Sequence, residues 1–104
     1  SPSVLSNMLI SIEQHVEWIT DFVQYQFENG ISKAEALEDA QDRWTQEVYD
    51  KAAPTLFMKG NSWYVGANVP GKPRVFSLYL GGVGHYRDVC DQVAADNYKG
   101  FELT

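Results

Sequence analysis

The feature that most constrains this chain is the stretch Val75 to Leu80, which alternates like a strand but carries bulk on both faces: Phe76, Leu78 and Leu80 on one, Tyr79 beside Ser77 on the other. A strand apolar on both sides belongs inside a sheet, with paired neighbours on its edges. The rest of the chain does not supply them. Leu56-Phe57-Met58 and Ser62-Trp63-Tyr64-Val65 are short, aromatic, strand-like pieces, and everything else reads as helix or loop. The expectation is an α/β arrangement of three helices and a few short strands whose sheet partners are missing. The 104 residues form a single segment with no internal domain boundary, and the partner strands are expected upstream.

The first helix lies within Ser3 to Asn29, with Ser6 or Asn7 as N-cap and Gly30 as the stop. Ile12, Val16, Ile19, Val23 and Phe27 recur every three or four residues, while Trp18, Phe22 and Tyr25 widen that stripe. Glu13, Glu17 and Asp21 fill the solvated face, so this helix is expected to be buried on more than one side. Ser32 and Glu35 have capping-box spacing, and Pro54 ends the second helix. Leu37, Ala40, Trp44, Val48 and Ala52 form its core face, with Asp39–Arg43 and Glu47–Lys51 as pairs four residues apart. Joined through Asn29-Gly30-Ile31, the two helices make a helical hairpin. A third helix carries Tyr86, Val89, Cys90, Val93 and Ala94 and stops near Gly100.

Aromatic residues make up 13% of the chain, three Trp, six Tyr and five Phe, a load too heavy for so short a chain to bury alone. Some rings are therefore expected at an interface. The net charge of -6 weighs against nucleic acid or an anionic membrane surface as partner. Between Asp50 and Asp88 there is no acidic residue, whereas Lys51, Lys59, Lys72, Arg74 and Arg87 fall in or beside that gap. An anionic ligand or an ordinary solvated loop would both account for it. Cys90 is alone, and neither His15 nor His85 has metal-ligand spacing with it, so a reducing cytoplasmic setting without metal is expected. No apolar run is long enough to span a membrane.

Three stretches invite a chemical reading. Gly81-Gly82-Val83-Gly84 follows the strand but has neither dinucleotide nor Walker spacing, which favours a tight turn over a phosphate cradle. The loop Gly66 to Arg74 holds two Gly, two Pro and an Asn, and Trp63 and Tyr64 lead into it. It is either a surface loop beside a core Trp or an aromatic face with two cations, Lys72 and Arg74, suited to a nucleotide. Ser3 to Met8 places small and apolar side chains before a helix N-terminus, where an ordinary cap competes with stabilisation of a nearby negative charge.

The chain resembles Baeyer-Villiger monooxygenases, in particular the phenylacetone and steroid monooxygenase branch, essentially end to end. The resemblance is carried by Ser-Asn-Met-Leu-Ile-Ser-Ile-Glu-Gln-His-Val-Glu-Trp (Ser6 to Trp18), Ser62-Trp63-Tyr64, Gly66 to Arg74, and Tyr98 with Gly100-Phe101. It implies the C-terminal part of a flavoprotein with two dinucleotide-binding domains, which uses FAD, NADPH and O2 to insert one oxygen beside a ketone carbonyl. It further implies that Ser3, Val4, Leu5 and Met8 line the substrate cavity beside the flavin. The helix they open resembles the one whose N-terminal amides face the flavin's pyrimidine edge, which makes Met8 a cofactor residue too. Residues 59–74 resemble a mobile loop closing over NADP, with Trp63 near the nicotinamide ribose and Tyr64, Asn68 and Lys72 as further cofactor-binding positions. The apolar Val4, Leu5 and Met8 suit aryl or polycyclic ketones.

The two Gly-x-Gly-x-x-Gly fingerprints, the family's Phe-x-Gly-x-x-x-His signature and its catalytic arginine have no counterpart in these residues. The segment alone is therefore expected to be inactive, to contain no catalytic residue and to hold neither cofactor tightly. The competing readings are a stand-alone, non-catalytic binding module and a purely structural interface element.

Overall fold

In the computed structural model, which describes residues 1–61 and 63–104, α1 spans Met8–Glu28. Ser62, expected to begin a strand-like piece and to belong to the NADP loop, lies outside the described residues. Asn7 is the N-cap, its Oδ1 accepting from the Leu9 N–H at 3.0 Å. At the other end Ile31 N–H donates to Gln26 O at 2.9 Å and Gly30 N–H to Phe27 O at 3.3 Å, with Gly30 left-handed at φ 65°. This double bond is the Schellman closure that only a residue without a Cβ adopts freely.

Burial on α1 differs from expectation. Ser11 and Gln14 are buried and Trp18, Phe22 and Tyr25 half-buried, but Ile12, Val16, Ile19, Val23 and Phe27 are all exposed, Phe27 by 82%. The aromatic side wins because partners exist for it. Phe22 stacks on Tyr98 at 4.2 Å, Phe101 lies 5.2 Å from Phe22, and the Trp18 indole N–H donates to Cys90 O at 2.9 Å. The aliphatic stripe finds no such cover among the described residues.

The second helix starts later than its capping box suggests. Ala34–Ala36 forms β1, antiparallel to β2 (Phe101–Leu103), with Ala34 opposite Leu103, Glu35 opposite Glu102 and Ala36 opposite Phe101. The Ser32 hydroxyl donates to Thr104 O rather than capping a helix, and Glu35 pairs with Lys33 at 2.6 Å. Helix α2 is Glu38–Ala52, led by Leu37, whose N–H donates to Gly100 O at 2.8 Å. Glu38 and Asp39 in its first turn offset the helix dipole. A strand therefore separates α1 from α2, in place of the expected direct helical hairpin. Asp39 and Arg43 pair at 2.8 Å as expected, but Glu47 turns away from Lys51 to the Tyr79 hydroxyl and His85, each at 3.4 Å. Of the expected core face, Val48 and Ala52 are buried, Ala40 and Trp44 half-buried, and Leu37 exposed.

Both strand-like aromatic pieces are short 3-10 turns, Leu56–Lys59 and Trp63–Val65. They fold in so that Val65, Ala52, Phe76 and Leu78 make a core, with Met58, Tyr64, Ala67 and Leu80 packed on it. Within Val75 to Leu80, Phe76, Leu78 and Tyr79 are buried and Leu80 is half-buried, but Val75 and Ser77 are exposed, so only part of the stretch is interior. Yet it forms no ladder, and the only sheet among the described residues is β1–β2. Helix α3 is Val83–Ala95, ending before Asn97 and Tyr98, both at positive φ, and so short of Gly100. Gly82 precedes it at φ 88°, the turn geometry that the glycine run favours. Among the described residues no helix is long and apolar enough to cross a membrane and no His/Cys/Asp/Glu group could hold a metal.

Candidate functional site

Ahead of α1, Ser3–Leu5 is a single 3-10 turn on buried Pro2, closed by Leu5 N–H to Pro2 O at 3.1 Å and Ser6 N–H to Ser3 O at 3.2 Å. The turn carries Ser3, Val4 and Leu5 to the start of α1, where the Ser3 hydroxyl donates to Met8 Sδ at 3.7 Å. Val4, Leu5 and Met8 are exposed while the backbone beneath them is bonded. An apolar surface is thus held by a polar frame. The first turn of α1 has no acidic residue, and only Leu9 among its leading amides is capped by the Asn7 side chain. Its positive dipole end is uncompensated, which fits the electron-rich edge of a flavin.

The second surface grows from Val65, which is fully buried and anchors its turn. Trp63, in the same turn, is 68% exposed, and its ring lies 4.1 Å from that of Tyr64 at 32°. Gly66 N–H to Trp63 O, Val69 N–H to Gly66 O and Lys72 N–H to Val69 O link successive turns through the loop. Asn68 and Lys72 lie along it, exposed, and Lys72 makes no ion pair among the described residues. Arg74 donates instead to Asn61 Oδ1. An open aromatic face and a free ammonium fit a nucleotide's base or nicotinamide and its phosphates. The donor set suits one wall of a cofactor site rather than a whole one. Ser3 and Met8 are thus brought together in one segment and Trp63 and Tyr64 in the other.

An open groove of about 450 Å³ between α2 and the extended segment, lined by Asp42, Thr45, Gln46, Tyr49, Val75 and Phe76, contains none of these residues. Nor do the perturbed titrations fall on them. Burial first, then the Cys90 thiol, pushes Tyr86 up to about 12; burial first, then Glu47, raises Tyr79; burial, then Asp21 and Tyr25, raises Tyr98. Burial lowers His15. These shifts follow packing, and the two surfaces offer shape, stacking and charge rather than acid-base groups. Sequence reasoning missed the Ser6 and Ser11 hydroxyls, 3.2 Å apart, because two serines five positions apart carry no pattern of their own.

No protein-family model matches the chain. It is 42% identical over 98 residues to a cyclohexanone 1,2-monooxygenase of Acinetobacter sp., covering 94% of this chain and 18% of that protein. To a Baeyer-Villiger monooxygenase of Pseudooceanicola batsensis it is 38% identical over 93 residues, covering 89% and 17%. Among solved structures, cyclohexanone monooxygenase from Rhodococcus sp. Phi1 bound to NADP+ superposes with a TM-score of 0.88 at 51% identity, over 95% of this chain and 19% of that one. Oxidized steroid monooxygenase bound to NADP gives 0.88 at 41% identity, over 99% and 19%. OTEMO in complex with FAD and NADP gives 0.76 at 37% identity, over 86% and 16%. The chain spans less than a fifth of the length of the curated relatives it matches.

Proposed function

We propose, from the premise that this chain belongs to the Baeyer-Villiger monooxygenase family as a segment of its much longer members, that it forms one wall of an FAD- and NADPH-dependent ketone monooxygenase. The reaction balances as ketone, O2, NADPH and a proton going to ester or lactone, NADP+ and water. The observation that carries this reading is the match over nearly the whole chain to a cyclohexanone 1,2-monooxygenase and to structures of a cyclohexanone and a steroid monooxygenase bound to NADP. The segment, residues 1–104, is the C-terminal part of the FAD domain, with residues 59–74 as the NADP-closing loop. FAD, when bound, supplies the oxygen chemistry, and the chain's own residues bind, orient and exclude water.

Ser3, Val4, Leu5 and Met8 face the ketone, and the amides at the start of α1 favour charge on the flavin edge. Trp63 would meet the nicotinamide ribose when NADP is bound, with Tyr64, Asn68 and Lys72 along the same nucleotide. Closing this loop keeps water from the reacting atoms. The exposed Val4, Leu5 and Met8 support an aryl or polycyclic ketone, and the likeness to a steroid monooxygenase points the same way. The remaining partner is the rest of the flavoprotein, in the cytoplasm, without nucleic acid or membrane. A stand-alone module is disfavoured by the aliphatic stripe of α1, which a self-sufficient domain would cover. Trp63→Ala in the full-length protein tests the loop: oxygenated product per NADPH should fall and hydrogen peroxide should accumulate. Unchanged coupling would overturn the role given to Trp63.

A further inference from the structure

Ser3 holds φ 49°, a left-handed backbone that is strained for a serine and persists only where neighbours over-determine it. Two donors of Ser6 converge on its carbonyl: the backbone N–H at 3.2 Å and the hydroxyl at 3.1 Å. The same hydroxyl oxygen lies 3.2 Å from Ser11 Oγ, and Ser11 is 4% exposed on the buried side of α1. A hydroxyl has one proton to give. With that of Ser6 spent on the Ser3 carbonyl, Ser11 must donate to Ser6, so the bonds run Ser11 to Ser6 to Ser3 in one direction. Each link polarises the next. The chain of hydroxyls starts on a 21-residue helix and ends on the residue immediately before Val4 and Leu5.

We propose that Ser11 is a positioning residue for ketone discrimination: acting through Ser6, it bolts left-handed Ser3 to α1 and so fixes the direction in which Val4 and Leu5 face the substrate. The inference rests on the reading that those two side chains line the cavity. Ser11 touches no reacting atom. Its removal leaves Ser6 with one partner fewer and loosens the turn without emptying the cavity wall.

The test compares Ser11→Ala, Ser11→Thr and Leu5→Ala in the full-length holoenzyme. Hydrogen exchange of the 2–8 stretch is measured without substrate, and kcat and KM are measured separately for a bulky aryl ketone and for cyclohexanone. Loss of one hydrogen bond should raise exchange at Leu5 and Ser6 by about fivefold. It should also shift the aryl-to-cyclohexanone ratio of kcat/KM by about fivefold, mainly through KM, with FAD content unchanged. Ser11→Thr, which keeps the hydroxyl, should restore exchange to within about twofold of the parent. Unchanged exchange in Ser11→Ala overturns the proposal, as does an unchanged ratio when Leu5→Ala shifts it. If Leu5→Ala leaves the ratio unchanged as well, the cavity reading itself has failed and the proposal falls with it.

Discussion

Gly81→Ala probes the joint between the extended segment and α3. A Cβ on Gly81 would sit 2.3 Å from both Cζ and Oη of Tyr79 and 2.6 Å from its Cε1, so the ring must move. It has little room to do so. Tyr79 is 1% exposed, stacks on Trp44 at 5.1 Å and 25°, and hydrogen-bonds Glu47. Forcing an extra carbon into such packing costs about 1–3 kcal/mol. Gly81 does not have a positive φ, so alanine also gains about 0.4–1 kcal/mol by narrowing the unfolded ensemble. The net loss should be about 1–2 kcal/mol. Hydrogen exchange in the full-length protein reads this locally, without assuming two-state unfolding. Amides near the start of α3, such as Tyr86, whose N–H donates to Gly82 O, should exchange about five- to thirtyfold faster, at 1.4 kcal/mol per decade. A double-mutant cycle isolates the cause: with the ring removed in Tyr79→Ala, Gly81→Ala should become neutral or mildly stabilising. An equal penalty in both backgrounds would show that the Tyr79 contact is not the reason for glycine there.

Ile19, exposed here by 55%, lies on the aliphatic stripe assigned to the rest of the flavoprotein. Ile19→Asp should leave the helicity of the 104-residue chain nearly unchanged but cost the full-length protein about 2–4 kcal/mol, read by thermal unfolding; equal effects in both would mean that nothing covers the stripe. His15 is half-buried, its Nε2 enclosed without a hydrogen-bond partner among the described residues, and burial lowers its pKa. The unfolded chain therefore takes up a proton near pH 6.5 that the folded one resists, so stability should fall as pH drops below about 6.5. His15→Gln should flatten that part of the pH–stability curve, and a curve unchanged by the substitution would refute it.

Local signals were legible where the partner lies nearby in sequence. Asn7, Gly30 and the Asp39–Arg43 pair act within a turn of their own positions, so α1 and part of α2 could be read directly. The Ser32–Glu35 spacing misled because Ala34–Ala36 is claimed by Phe101–Leu103, and pairing across some sixty-seven positions leaves no local trace. Ile12 to Phe27 had the period of a core face, but period cannot say whether the cover is in the same chain. The bulk on both faces of Val75 to Leu80 points to an interior strand; Phe76, Leu78 and Tyr79 agree by burial, Val75 does not, and the backbone forms no strand. The two surfaces proposed to meet the cofactors rest on long motifs rather than on chemistry, since stacking faces and apolar linings have no titratable signature. The Ser11–Ser6–Ser3 chain needed coordinates.

Oxygen labelling tests the central reading most directly. With the full-length protein, FAD, NADPH and an aryl ketone under 18O2, the ester should gain one labelled oxygen, and the 104-residue chain alone under the same conditions should form none. Absence of ester from the full-length protein, label arriving from H2 18O instead, or turnover by the isolated chain would contradict it.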